Sequence, residues 1–317
     1  MKILVTGGCG YTGTILIPKL LTKNHKVINV DNQWFGNYLN RHKNLSNLKI
    51  DIRAIPEKIF KKVDVIIHLA SIANDPMAEI DKNLSWETSC LGTLRLMNLA
   101  KKYDVKRIIY ASSGSVYGIK KEKHVTEKLS LKPISLYNKV KMITEKVILS
   151  YNKDVANFII RPATVCGFSP RMRFDVTVNA LSYSALRYEK IVVNGGSQIR
   201  PNIHIEDLTD LYIFLLNINK KYSGIYNAGF ENLSVLNIAK NVKKYIKSDI
   251  QILKQNFDPR SYRLDSSKLL KIGFKPKFKI KDAIINLKEK YEEKKIKDNP
   301  KFYSIKWLKK LHKNNNL

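Results

Sequence analysis

Tyr137 and Lys141 stand four residues apart in the stretch Tyr137-Asn138-Lys139-Val140-Lys141. On a helix, residues at that spacing share one face. A free phenol titrates near pH 10, too high for a base at neutral pH. A neighbouring ammonium stabilises the phenolate and draws that value toward neutrality. Such a phenolate can remove the proton of a sugar or alcohol hydroxyl while the carbon gives hydride to a nicotinamide. Ser113 lies 24 residues upstream, at the end of the apolar run Arg107–Ser112. Its hydroxyl would hold the same substrate oxygen. Two other pairs share the spacing, Tyr117 with Lys121 and Tyr291 with Lys295. Only Tyr137 and Lys141 fall on a predicted helix that follows a hydroxyl-bearing strand.

A hydride acceptor needs a binding site, and the N-terminus supplies its pattern. The strand Lys2–Thr6 runs into Gly7-Gly8-Cys9-Gly10-Tyr11-Thr12-Gly13, and an apolar-periodic helix follows with Ile15, Leu16, Leu20 and Leu21. Glycine lets backbone N–H groups approach an anion, and the helix start adds its free N–H groups and dipole. The glycines are three apart, unlike the commonest dinucleotide fingerprint, whose first two are two apart. The next strand, Lys26–Asp31, ends in a carboxylate about 20 residues past the glycines, where an acid accepts hydrogen bonds from the adenosine ribose. An acid there repels a 2′-phosphate, so NAD is expected rather than NADP. The expected cofactor contacts are Gly7, Gly10, Tyr11, Thr12 and Gly13 of the turn, then Asp31 and Asn32.

Strands and helices alternate through the first half. Predicted strands cover Leu48–Asp51, Val63–Leu69, Arg107–Ser112 and Val155–Arg161, and predicted helices cover Trp86–Lys102 and Leu136–Ser150. That alternation implies a doubly wound parallel α/β sheet with crossover helices. The rhythm breaks after Arg161: a helix over Phe174–Tyr188, a short strand at Ile191–Val193, a Gly195-Gly196 turn, helices over Glu206–Leu216 and Leu236–Ile246, and a third capped by Asp265-Ser266-Ser267 and ended by Gly273. The expected organisation is a Rossmann-type NAD-binding domain at 1–165, with a returning segment at about 203–229. Residues 166–202 and 230–317 would form a smaller substrate lobe and a basic tail, where Ile305, Trp307, Leu308 and Leu311 suggest an amphipathic helix packed on the domain or a partner subunit. A frayed Asn run would end the chain.

A chain of 317 residues with 44% hydrophobic content is globular in composition. Its net charge of +30 arises from lysines spread along the whole chain, without a nucleic-acid-binding motif. Nucleic acid is therefore not the expected partner, although a basic surface attracts a substrate carrying a diphosphate. Cys9, Cys90 and Cys166 have no paired spacing, so neither a disulfide nor a metal site is expected and a cytoplasmic location fits. The most apolar stretch, Leu211–Ile218, is too short to span a bilayer.

The motifs together resemble the extended short-chain dehydrogenase/reductase family of nucleotide-sugar epimerases and dehydratases. The matching stretches are Thr6–Gly13, His68–Ser71, Ser112–Gly118, Tyr137–Lys141, Arg161–Val165 and Asn202–Asp207, with Arg260–Lys268 and Leu270–Pro276 near the C-terminus. The resemblance implies NAD across the first domain, with Asp51 and Ile52 beside the adenine and Leu69, Ala70 and Ser71 near its diphosphate and ribose. It implies Ser113, Tyr137 and Lys141 as catalytic residues, Arg200 and Arg260 as a clamp on a substrate diphosphate, and Asn179 as a nucleotide contact. It also implies a homodimer through the Tyr-bearing helix and the helix before it, for which Leu91, Leu94, Val140 and Ile143 offer apolar positions. Two departures stand out. Gly114 and Ser115 occupy the places of the Asp-Glu pair of 4,6-dehydratases, which argues against elimination of water. Ser89 occupies the place of an Asn that often precedes Val-x-Gly-Thr. The expected activity is an NAD-dependent nucleotide-sugar epimerase acting at carbon 4. A dehydrogenase or reductase of the same family is the alternative, and a non-catalytic NAD-binding or nucleic-acid-associated protein is the competing class.

Overall fold

The computed structural model describes residues 1–253, 261–314 and 317. The elements are β1 (Lys2–Thr6), α1 (Gly13–Thr22), β2 (Lys26–Asp31), β3 (Leu45–Lys49), β4 (Val65–His68), α2 (Asp75–Ala78), α3 (Lys82–Trp86), α4 (Gly92–Lys102), β5 (Arg107–Ala111), α5 (Leu136–Leu149) and β6 (Ala156–Pro162). There follow β7 (Thr164–Cys166), α6 (Thr177–Tyr188), β8 (Lys190–Asn194), β9 (Ile199–His204), α7 (Ile205–Asn217), β10 (Gly224–Ala228), β11 (Glu231–Ser234), α8 (Val235–Tyr245), β12 (Asp249–Leu253), α9 (Ser267–Lys271), α10 (Ile280–Glu292) and α11 (Ser304–Lys313).

Among the described residues, seven strands form one sheet in the order β10-β6-β5-β4-β1-β2-β3. Every pairing in it is parallel. The strands are apolar on both faces because both faces are covered. Leu16, Ile17 and Leu20 of α1 and Leu208, Leu211 and Leu215 of α7 pack on one face. Leu96, Met97 and Leu99 of α4, with Ile59 and Phe60, pack on the other. Each such side chain contributes roughly 1.5–3 kcal/mol when fully buried. A separate cluster joins α6, α8 and α10 to β8, through Val178, Ile191, Ile238 and Ile284. Small sheets of order β11-β9-β7 and β12-β8 complete the second half.

Three of the expected elements start three or four residues from where the sequence places them. β3 starts three residues early, because its register with β2 runs from Val27↔Leu45 to Asp31↔Lys49. Asp51 leaves the strand and caps a short 3₁₀ turn, accepting from the Arg53 amide at 2.8 Å. The helix expected from Trp86 begins at Lys82, where Asp81 caps the Leu84 amide at 2.9 Å, and a π-turn at Glu87–Leu91 interrupts it. α6 begins at Thr177, since the Phe174 amide donates to the Phe302 carbonyl at 3.1 Å instead of entering a helix. The amphipathic tail helix is present as α11 and packs on the domain, with Leu308 buried against Met77, Ile72 and Leu84. Of the terminal Asn run, Asn315 and Asn316 lie outside the described residues.

No helix among the described residues is long and apolar enough to cross a membrane.

Candidate active site

A cavity of about 510 Å³ opens where β1, β2, β4, β5 and β6 end. In an open parallel sheet, ligands bind outside these carboxyl ends. The glycine turn forms its floor. Gly7 has φ +76°, and a Cβ there would lie 2.6 Å from the Ala70 amide nitrogen. Gly13 brings the start of α1 against Gly8, where a Cβ would meet the Gly8 Cα at 2.4 Å. Gly10 faces the cavity, and a Cβ there would meet only the Gly7 carbonyl, at 3.1 Å. The side chain absent at Gly10 thus leaves a cradle. No acid stands in the first turn of α1, and no side chain caps its N-terminus. Asn29 holds the turn by accepting from the Gly8 amide at 2.9 Å. Asp31 accepts from the Cys9 amide at 2.9 Å and the Gln33 amide at 2.7 Å, while burial raises its carboxyl above the usual range. A cradle of backbone beside a strand-end carboxylate fits the diphosphate and ribose of a dinucleotide.

Ser113, Tyr137 and Lys141 line the same cavity. The Ser113 hydroxyl shares a 2.8 Å hydrogen bond with Ser115, whose hydroxyl donates to Asn138 Oδ1 at 2.5 Å. Ser135 caps α5 through the Asn138 amide, which sets the rotation of the helix and so the direction of Tyr137. Lys141 Nζ donates to the Ala111 carbonyl at 2.7 Å and lies 5.9 Å from the Tyr137 ring centroid. Burial lowers the Lys141 pKa to about 7, and the charge of Glu145, one turn further on, opposes that shift. Glu145 is itself buried, paired with Arg161 at 2.6 Å and bonded by the Ser112 hydroxyl. His68 is buried between Thr6 and Thr93 at 2.6 and 2.8 Å, and desolvation lowers its pKa to about 3, so it is neutral.

The cavity wall also carries Tyr11, Thr12, Asn32, Ile52, Leu69, Ala70, Ser71 and Arg200. Ser71 shares a 3.1 Å hydrogen bond with Ser89, so the shorter residue at 89 still supports the cavity rim from within the π-turn. Asp51 is not on the wall; its carboxylate grips Arg53 at 3.0 Å. Asn179 is fully buried behind the wall, accepting from the Gly167 amide at 3.0 Å and donating to the Tyr11 hydroxyl at 3.0 Å. Arg260 lies outside the described residues. The competing Tyr117 is buried against Asn227 and Arg161, at 2.8 and 2.7 Å. Val140 is buried within its own chain and is unavailable to a partner, whereas Leu91 and Leu94 of the same proposed face are exposed.

None of the charged residues between β7 and α6 is among the site residues expected from the sequence. Arg171 and Arg173 both line the cavity, as does Asp175. Asp175 binds Arg173 at 2.8 Å and accepts from Asn74 Nδ2 at 2.7 Å. The Arg-x-Arg-x-Asp alternation in a segment without helical or strand periodicity is the signal that could have marked them.

The model of the NAD dependent epimerase/dehydratase family matches residues 3–229. UDP-glucose 4-epimerase from Lactobacillus helveticus is 26% identical, over 96% of this chain and 100% of that protein. UDP-glucuronic acid decarboxylase 6 from Arabidopsis thaliana is 29% identical, over 92% of this chain and 89% of that protein. Among solved structures, UDP-glucuronic acid 4-epimerase from Bacillus cereus, in complex with UDP-glucuronic acid and NAD, superimposes with a TM-score of 0.82. It is 25% identical, over 92% of this chain and 99% of that one.

Proposed function

From its membership of the NAD-dependent epimerase/dehydratase family, to which this chain belongs and whose cofactor is NAD, we propose that the protein is a nucleotide-sugar 4-epimerase. The observation that carries the reading is that Ser113, Tyr137 and Lys141 line one cavity together with the glycine cradle. Bound NAD supplies the acceptor, and later the donor, of one hydride at the sugar carbon. Tyr137 takes the proton of the C4 hydroxyl and Ser113 holds that oxygen by a hydrogen bond. Lys141, when protonated, stabilises the phenolate by its charge. The keto sugar turns over in the cavity, Tyr137 returns the proton, and the product is the C4 epimer. Arg200, with Arg260, would hold the substrate diphosphate by charge-assisted bonds. Dehydration is disfavoured by Gly114 and Ser115, which offer no carboxyl beside Ser113. The expected organisation remains a cofactor domain at 1–165 with a returning segment at 203–229, and a substrate lobe from the rest. A homodimer through α5 and the π-turn and α4 that precede it would use Leu91 and Leu94.

Relatives named as UDP-glucuronic acid decarboxylases keep a second outcome in view, because a C4 keto group also activates a C5 carboxylate for loss. Product analysis separates the two. Incubation with UDP-glucose, UDP-N-acetylglucosamine and UDP-glucuronic acid, followed by proton NMR, should give a C4-inverted sugar from one of them without net NADH. A pentose product, or stoichiometric NADH, would refute the epimerase reading.

A further inference from the structure

One buried cation on the cavity wall has no part in the proton transfers. Arg171, between β7 and α6, is 4% exposed and lines the cavity. Its guanidinium carbon lies 4.3 Å from the Phe35 ring centroid. It donates to the Ser304 hydroxyl at 2.9 Å and the Met172 carbonyl at 3.4 Å, neither of them charged. Its Nε has no hydrogen-bond partner among the described residues. Asp175 is ion-paired with Arg173, and it and Asp31 act on Arg171 only through the field of their charges, without a hydrogen bond. A buried guanidinium that bonds no carboxylate among the described residues and leaves an N–H unmet is costly, so a site that keeps one is completed by an anion.

The glycine turn offers the other half of that anion site. Ser169, two residues before Arg171, bonds the Tyr11 carbonyl at 2.8 Å and the Thr14 hydroxyl at 2.7 Å. These bonds fix the Arg171 segment against the start of α1, whose N-terminus carries no acid and no side-chain cap. We propose that Arg171 closes the dinucleotide site, engaging the cofactor's diphosphate from the side opposite the glycine turn. The assignment rests on reading this cavity as the NAD cleft.

The tail beyond the family match braces this arginine. Ser304 begins α11, and Trp307 Nε1 of the same helix donates to the Trp34 carbonyl at 2.6 Å, beside Phe35. The Phe35 ring and the Ser304 hydroxyl, both outside the glycine motif, thereby set the position of the Arg171 guanidinium.

A nucleotide sugar also carries a diphosphate, so the test separates the two sources. Binding of NAD, ADP-ribose and adenosine to NAD-free protein is measured by calorimetry for wild type, Arg171→Met and Arg171→Lys, with KM for the nucleotide sugar measured in parallel. Arg171→Met should weaken NAD and ADP-ribose by roughly 10- to 100-fold, the scale of a lost hydrogen bond to a charged group, and leave adenosine within about twofold. Arg171→Lys keeps the charge and should fall between; it decides the matter if Arg171→Met does not fold. An unchanged NAD affinity with a raised KM would overturn the proposal in favour of the substrate diphosphate. An equal loss for adenosine would overturn it in favour of an effect through Asp31. A lysine variant as weak as the methionine one would overturn the role of charge. Failure of wild type to bind NAD would instead refute the cofactor reading on which the proposal stands.

Discussion

Replacing Lys141 with Met should abolish turnover and yet stabilise the fold below neutral pH. Lys141 is buried, and its pKa falls from 10.5 to about 7. Each pH unit of displacement is worth about 1.4 kcal/mol, so the site costs roughly 4–5 kcal/mol at or below pH 7. The sign follows from proton counting. Between pH 7 and about 10.5 the unfolded chain binds a proton that the native chain lacks, so stability rises with pH through that window. Below pH 7 both states carry the proton and the penalty is complete. Methionine fills similar space without charge, but forfeits the 2.7 Å bond to the Ala111 carbonyl. An unpaired buried acceptor costs about 1–3 kcal/mol. The variant should therefore be more stable than wild type by roughly 2 kcal/mol at pH 6, and lose that advantage by pH 10. Urea unfolding of NAD-free protein at pH 6, 8 and 10, at constant ionic strength, measures the difference. Parallel stability–pH curves for the two proteins, or a methionine variant weaker at pH 6, would refute the reasoning.

Other outcomes follow from the same geometry. Tyr137→Phe should lower kcat by roughly 10²- to 10⁴-fold, the usual share of general acid–base catalysis, while retaining NAD after gel filtration. Tyr117→Phe should leave kcat unchanged and lower stability by about 1–3 kcal/mol, because the buried Arg161 and Asn227 lose a partner. Gly7→Ala should lose NAD retention and destabilise the fold by roughly 1–3 kcal/mol, since φ +76° and the Ala70 backbone both oppose a methyl group; melting temperature and bound nucleotide report it. Binding of NADP should be at least about tenfold weaker than that of NAD, because the Asp31 carboxylate meets the additional phosphate; competition binding measures the ratio.

The parts of the site legible in the sequence are those written in local chemistry. A strand, a glycine turn and a helix are contiguous, so Gly7, Gly10 and Gly13 announce themselves. Tyr137 and Lys141 are one helical turn apart, and Ser113 ends a strand. The parallel sheet was legible for the same reason, as alternating apolar runs. What the sequence concealed depends on distant partners. Asn179 sits at a polar position of an amphipathic helix, but turns inward to brace Gly167 and Tyr11. Asp51 looks like a strand residue until the pairing of β3 with β2 ends at Lys49. Val140 reads as a free apolar position, yet it is buried within its own chain. Arg171 acquires its surroundings from Phe35 and Ser304, residues 136 positions before it and 133 after it. No window of sequence contains all three.

The central claim is that one cavity takes a hydride from the sugar's C4 and gives it back to the same carbon. A nucleotide sugar carrying deuterium at C4 tests this directly. If the claim holds, the epimerised product keeps the deuterium at C4, with none exchanged into solvent and none found in NADH released from the protein. Loss of the label to water would mean that C4 is deprotonated instead of oxidised, and loss to released NADH would mean a dehydrogenase; either result would contradict the account.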